Sequence, residues 1–303
     1  MDNIFDIIVV GCGPAGMAAA LYATRSGKKV LILEKETIGG QIALAPKVEN
    51  FPSIDSITGA ELADRMFNQI FELGVSFELE CVEKIEKVDD LFFVSTDYNK
   101  HTSRSVIIAT GAHHKKIGVP NEEEWLGKGL SYCALCDGAF YKGEEVAVIG
   151  DGNSALQYAL DLSNYCSKVY ICTLFDKFFG DNVLVKRLEE KENILVMQNI
   201  SLVGLHGKDE LETLHFYDTT LGTDVTLDVK GVFIAIGQVP NNDIVKELTE
   251  IDKAGYIVAG EDLNTNTPGL FVAGDCRTKG VRQATTAVAD GAIAALAAVK
   301  YLG

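Results

Sequence analysis

The stretch Phe5-Asp6-Ile7-Ile8-Val9-Val10-Gly11-Cys12-Gly13-Pro14-Ala15-Gly16 decides the fold of this 303-residue chain. Phe5–Val10 is an apolar run of the kind buried on both faces of a parallel sheet. It feeds into a Gly-x-Gly-x-x-Gly turn and then an Ala-rich helical stretch to about Ser26. The first glycine closes a tight turn, the second lets backbone approach a pyrophosphate, and the third lets the helix pack on the strand. A second strand, 29–33, ends at Glu34, 18 residues after Gly16, where a carboxylate accepts both hydroxyls of an adenosine ribose. Glu34 also disfavours a 2′-phosphate, which leaves FAD or NAD rather than NADP as the ligand of this turn.

Outward from this unit, Gly39-Gly40-Gln41 and Glu49-Asn50-Phe51-Pro52 supply a flexible loop and amide groups of the kind that reach an isoalloxazine ring, which favours FAD. Residues 58–74 read as an amphipathic helix, 75–82 as a strand, and 91–95 and 105–109 as further strands, the last entering Thr110-Gly111-Ala112. A matching strand at 231–236 ends in Gly237, and Glu145–Ile149 leads into a second turn, Gly150-Asp151-Gly152-Asn153-Ser154-Ala155, with a helix to about Tyr165. The chain therefore contains an internal repeat. Near the C-terminus, Val272-Ala273-Gly274-Asp275 is a strand ending in an Asp suited to a ribityl hydroxyl, and Arg282-Gln283-Ala284 opens an Ala-rich helix whose N-terminus stabilises an anionic reduced flavin. The fold expected is α/β and three-layer, with two dinucleotide-binding (Rossmann-like) domains, the second inserted in the first. Residues 1–115 and 242–303 form the FAD-binding domain, and 116–241 the inserted redox domain.

Tyr132-Cys133-Ala134-Leu135-Cys136-Asp137 heads the inserted part. Two thiols two residues apart close a small disulfide, and the adjacent carboxyl moves protons as it opens and closes. A zinc half-site is disfavoured because no second Cys or Cys/His pair stands at ligand spacing, so no metal is expected. A purely structural bridge is disfavoured because so short a loop restrains little of the unfolded chain.

The seven cysteines, including Cys12, Cys81, Cys166, Cys172 and Cys276, are scattered, a pattern of reducing compartments. Met1-Asp2-Asn3 runs straight into the first strand without a leader pattern, and no apolar segment of membrane-spanning length is evident. A cytoplasmic, soluble protein is expected. A formal net charge of −16 argues against nucleic acid and anionic membrane as partners.

Across essentially its whole length the sequence resembles the low-molecular-weight thioredoxin reductases, through the first glycine turn, Gly39-Gly40-Gln41, Glu49-Asn50-Phe51-Pro52, Ser131-Tyr132-Cys133-Ala134-Leu135-Cys136-Asp137-Gly138, Val272-Ala273-Gly274-Asp275 and Arg282-Gln283-Ala284. The resemblance implies a homodimeric FAD enzyme passing electrons to an internal disulfide and on to thioredoxin. By it, Cys136 faces the flavin, Cys133 attacks thioredoxin's disulfide and Asp137 is the acid/base. A pair that serves both flavin and partner implies rotation of the inserted domain about 113–117 and 240–243. The expected FAD contacts are Gly11, Gly13, Pro14, Ala15 and Gly16 in the turn, Glu34 and Lys35 at the ribose, Gly40, Gln41 and Asn50 in the loops, Val82 and Gly111, and Asp275, Arg282, Gln283 and Ala284.

The second nucleotide fold departs from that family. Where NADPH-using relatives carry a His-Arg-Arg cluster after the strand Lys168–Cys172, this chain has Thr173-Leu174-Phe175, then Asp176-Lys177-Phe178-Phe179. Each lost charge-assisted contact costs roughly 1.5–3 kcal/mol. No acidic residue at the strand end replaces them for NADH, and Asp151 sets a negative charge where a pyrophosphate would sit. NAD(P)H is therefore expected not to bind, and the sequence looks like the ferredoxin-dependent flavin thioredoxin reductases. Candidate docking cations are Lys28 and Lys29, His113-His114-Lys115-Lys116, Lys186 with Arg187, and Lys279 with Arg282. The alternatives are an NAD(P)H-dependent disulfide reductase with an atypical nucleotide site and, in another class, a flavin thiol-redox sensor.

Overall fold

Apolar residues alternate between the two faces of the central strands, and this alternation builds three layers in each half of the protein. The computed structural model describes residues 4–303; Met1-Asp2-Asn3, read as leading into the first strand, lie outside the described residues. The chain divides into two compact units, Met1–His113 with Val239–Gly303, and His114–Gln238. The crossings thus fall two to three residues before the expected positions of 115/116 and 241/242.

In the first unit, Ser76–Leu79, Val30–Glu34, Phe5–Val10, Lys100–Ile108 and Leu270–Val272 lie side by side in that order, all parallel. Ile7, Val9, Ile32 and Ile107 are buried with the helices Pro14–Arg25 and Ala284–Leu302. Ile8, Val10, Leu31, Leu33, Val106 and Ile108 are buried with Ile85, Phe92 and Val94 of the antiparallel strands Val82–Val88 and Leu91–Thr96. Helix packing is close enough that a Cβ on Gly291 would stand 2.1 Å from the Ala15 carbonyl oxygen. The helix Ala284–Leu302 is long and apolar enough, by length and composition, to cross a membrane, which corrects the expectation of no such segment. Ala287, Gly291, Ala294, Ala295, Ala298 and Leu302 on it are buried in the core.

The single strand expected over 75–82 is two, Ser76–Leu79 and Val82–Val88. The break falls at Glu80, whose buried carboxylate accepts hydrogen bonds from Thr96 Oγ1 at 2.7 Å and Asn99 Nδ2 at 2.5 Å and contacts His101 Nε2 at 2.8 Å. A buried charge needs such partners, and turning the chain there supplies them.

The inserted unit repeats the plan. Ile194–Met197, Lys168–Cys172, Glu145–Ile149, Gly231–Ile234 and Leu130–Ser131 form a parallel sheet. Val146, Val148 and Phe233 pack with the helix Asn153–Leu162, while Ala147, Ile149 and Ile234 pack with the antiparallel strands Ile200–Gly207, Leu211–Asp218 and Thr223–Asp228. The same device closes both nucleotide turns. Gly11 has φ 109° and would place a Cβ 2.3 Å from the Ala109 carbonyl oxygen, and Gly150 has φ 149° with its Cβ 2.5 Å from that of Ala235. The substitution Gly291→Val is expected to destabilise the protein by roughly 1–3 kcal/mol or more through overpacking, measured by urea unfolding.

Candidate functional site

In the first unit the turn residues expected to hold FAD converge. A Cβ on Gly16 would lie 1.9 Å from the Gly11 carbonyl oxygen, so the fold itself demands that glycine. Gly13 differs: its φ is −79°, and a Cβ there would meet only the Gly39 carbonyl oxygen, at 3.8 Å. Protein packing therefore does not explain Gly13, whereas a pyrophosphate approaching between it and Gly40 does. Pro14 and Ala15 open the helix Pro14–Arg25, and Ala15 lies against Gly274, bringing the Asp275 segment to the turn. Asp275 Oδ1 is shielded from solvent and has no hydrogen-bond partner, the state expected of an acceptor awaiting a ligand hydroxyl. Asn50 Nδ2 donates to Gln283 Oε1 at 3.1 Å, joining the second loop to the residue before Ala284.

Glu34 ends its strand as expected. Its Oε2 accepts the Cys12 amide at 2.8 Å and its Oε1 the Lys35 and Glu36 amides at 2.9 and 3.0 Å, which leaves lone pairs for ribose hydroxyls. The Lys35 ammonium is paired with exposed Glu36 at 2.9 Å. Gln41 is exposed, Gly111 has φ 65° with open space at its Cβ, and Val82 is buried with Leu31, Leu33 and Ile85. Arg282 sits with its guanidinium carbon 4.2 Å from the Tyr256 ring centre. The residues present thus fit a dinucleotide of the FAD type.

In the inserted unit Cys133 and Cys136 are disulfide-bonded across one short helical turn, Ala134–Asp137. The Cys136 amide donates to Cys133 Sγ at 3.1 Å, which favours a thiolate there once the bond opens. Asp137 Oδ2 accepts the Ser131 hydroxyl at 2.6 Å, and the Ser131 oxygen accepts the Cys133 amide at 3.0 Å. Burial raises the Asp137 pKa above the usual carboxylate range, against the opposing Ser131 hydrogen bond. Tyr132 stacks on His114 at 4.9 Å and donates to Glu122 Oε1 at 2.8 Å. Buried Glu122 also accepts the amides of Ile117 and Gly118. Neither Ser131 nor Glu122 was legible as a partner of the disulfide. Glu122 is one of three consecutive glutamates, and only the fold selects the one that turns inward.

The second glycine turn is covered by its own chain. The Phe179 amide donates to the Asp151 carbonyl at 2.8 Å, the Asp181 amide to Asn153 Oδ1 at 2.7 Å, and Asn153 Nδ2 to Asp181 Oδ2 at 3.1 Å. A Cβ on Gly180 would lie 3.2 Å from the Asn153 amide nitrogen. Residues 179–181 thus lie on the first turn of the helix Asn153–Leu162, where a pyrophosphate would bind. At the end of Lys168–Cys172, Leu174 and Phe175 are 51% and 44% exposed, and Phe175 packs edge-on against Phe179 at 5.1 Å.

Of the candidate docking cations, Lys279 is withdrawn: its side chain is buried and bound to Asp290 at 3.0 Å. Lys28 donates to the Gly303 carbonyl, Lys29 lies over Phe5, and Lys116 pairs with Glu123 at the surface. Lys186 and Arg187 lie in the last turn of the helix Asn182–Glu189.

Residues 5–291 match the family described as pyridine nucleotide-disulphide oxidoreductase, and the chain belongs to it. It is 38% identical over 303 residues to a "34.2 kDa protein in rubredoxin operon" of Clostridium pasteurianum, covering all of this chain and 98% of that one. It is 36% identical over 302 residues to a thioredoxin reductase of Bacillus subtilis, covering 99% and 96% of the two chains. Among solved structures it superposes on a thioredoxin reductase of Streptococcus pyogenes with TM-score 0.95 at 36% identity, over 100% and 99% of the two chains.

The two glycines of the first turn separate binding from folding. Gly13→Ala is expected to leave the unfolding midpoint of the flavin-free protein nearly unchanged and to weaken FAD about tenfold or more, read by flavin fluorescence. Gly16→Ala is expected to lower that midpoint itself, by roughly 1–3 kcal/mol.

Proposed function

We propose that this protein is a FAD-dependent thioredoxin reductase that takes electrons from reduced ferredoxin and passes them through Cys133–Cys136 to thioredoxin. On this reading the first unit is the FAD domain and the inserted unit the redox domain. The observation that carries the choice of donor is the segment Phe179-Gly180-Asp181 on the helix Asn153–Leu162. A pyridine nucleotide would have to break three hydrogen bonds there, each worth about 0.5–1.5 kcal/mol, and enter beside Asp151 and the Asp181 carboxylate. It would then meet Leu174 and Phe175 where a 2′-phosphate needs cations.

Bound FAD would supply the reservoir from which the disulfide gains two electrons. With two protons, Cys133–Cys136 becomes two thiols. The Cys133 thiolate attacks the thioredoxin disulfide, forming a mixed disulfide and expelling one thioredoxin thiolate. Cys136 then attacks Cys133 Sγ, which restores the internal bond and releases dithiol thioredoxin. Asp137, whose pKa burial raises, gives its proton to a departing thiolate and recovers it from the next thiol. On this reading the protein is a homodimer, as the resemblance to the thioredoxin reductases implies. The free cysteines suit the reducing cytoplasm.

A second reading, reduction by NAD(P)H, is favoured by the family's description and by the retained φ of 149° at Gly150. Anaerobic mixing of the yellow protein with NADPH, NADH or reduced ferredoxin separates the two. Flavin bleaching by ferredoxin within seconds, with thiols appearing in thioredoxin, is expected; fast bleaching by NADPH would overturn the ferredoxin reading. The double variant Leu174→Arg/Phe175→Arg is expected to remain unresponsive to NADPH, because the covering segment stays in place. Charge reversal at Lys115 and Lys116 is expected to slow ferredoxin oxidation and flatten its salt dependence.

Asp137→Asn is expected to slow thioredoxin reduction by about 10²–10³-fold. Its stability effect has the opposite sign. A carboxyl whose folded pKa is raised contributes stability below its unfolded pKa and loses it as pH rises through the folded value. The melting temperature of Asp137→Asn should therefore gain on that of the parent protein as pH rises from 4 to about 7.

A further inference from the structure

A buried cluster of charges lies behind Asp275, on and beside the helix Ala284–Leu302. Asp290, on Ala284–Leu302, is buried and accepts four hydrogen bonds. Arg277 donates Nε to Oδ2 at 2.9 Å and Nη2 to Oδ1 at 3.0 Å, while the Gly274 amide and Lys279 Nζ each reach Oδ2 at 3.0 Å. The two-pronged Arg277 contact already neutralises this carboxylate. Lys279 is thus a surplus cation, with a side chain only 6% exposed. Its third contact, Thr286 Oγ1 at 3.1 Å, sets it at the N-terminal turn of that helix, where the helix dipole disfavours positive charge. Burying an ammonium there is costly unless an anion faces it. Beside Asp290, which it shares with Arg277, the second anion facing it is Asp275, whose Oδ1 stands 4.0 Å from Lys279 Nζ, too far for a hydrogen bond, and has no other partner.

We propose that Lys279 is a positioning residue for the flavin: it holds the Asp275 carboxylate as an acceptor for a ribityl hydroxyl of FAD, and Asp290 anchors it there. The inference rests on the FAD reading of the first unit. Asp290 ties the cluster together, since the Gly274 amide it accepts belongs to the residue before Asp275. Burial raises the Asp275 pKa and Asp290 adds to that, while Lys279 and Arg282 lower it, which agrees with a cation being required for the charged form. With Lys279 removed, Asp275 Oδ1 would lose the cation that faces it, and the charge-assisted contact to the ribityl chain would be weakened.

The test compares FAD with ADP, which carries the adenosine and pyrophosphate that the first glycine turn would take but no ribityl chain for Asp275 to hold. Full-length protein, its Lys279→Met variant and its Lys279→Arg variant are stripped of flavin and titrated with FAD by fluorescence quenching and with ADP by calorimetry. Lys279→Met is expected to weaken FAD by about 10- to 100-fold and leave ADP within about twofold, with Lys279→Arg recovering most of the loss. FAD affinity unchanged in Lys279→Met would overturn the proposal. So would FAD and ADP weakening together, because the cluster would then be supporting the fold. Failure of the parent protein to bind FAD at all would remove the flavin reading, and this inference with it.

Discussion

Backbone packed directly on backbone is the constraint on which both halves of this protein depend. At Gly11 and Gly150 the chain leaves a central strand with positive φ beneath a carbonyl of the neighbouring strand's extension, Ala109 or Ala235, at distances no side chain tolerates. At Gly16 the helix returns against the turn just as tightly. These approaches fix where each helix starts relative to its sheet, and everything chemical in the molecule is placed from there. Glu34 reaches the Cys12 amide because the second strand runs beside the first, and Asp275 reaches the turn because Gly274 packs on Ala15.

The parts of the fold governed by local rules were legible in the sequence. Phe5–Val10, Glu145–Ile149 and Lys168–Cys172 form the strands their apolar runs indicate, and the helices begin at the glycine turns. What was not legible rests on contacts distant in sequence. Glu80 ends a strand because Thr96, Asn99 and His101, 16 to 21 residues later, satisfy its charge. The antiparallel strands Ile200–Gly207, Leu211–Asp218 and Thr223–Asp228 were not among the strands read from the sequence, and their apolar residues find their core only on the far side of the sheet built from 145–149 and 231–234. Asp290 is a lone carboxylate within an Ala-rich helix, and its role follows only from Arg277 and Lys279 folding back to it.

Site chemistry divides in the same way. The spacing of Cys133 and Cys136 indicated a disulfide, but the environment that tunes it, the Ser131 hydroxyl between Asp137 and the Cys133 amide, follows from the turn geometry. The missing cations after Lys168–Cys172 were evident as letters. That residues 179–181 lie across the helix start was not, since it needs Gly180 to approach Asn153 more closely than any larger residue could.

The helix Asn153–Leu162 also has a mechanical duty. A Cβ on Gly138, two residues past the second cysteine, would fall 2.3 Å from the Tyr165 hydroxyl and 2.9 Å from a Leu162 methyl, and Ala134 shares a core with Leu156 and Ala159. The redox turn is braced from behind by the helix that the second glycine turn opens. Whatever its first turn holds, this helix cannot shift without letting the sulfurs sag, so it stands as a buttress to the disulfide.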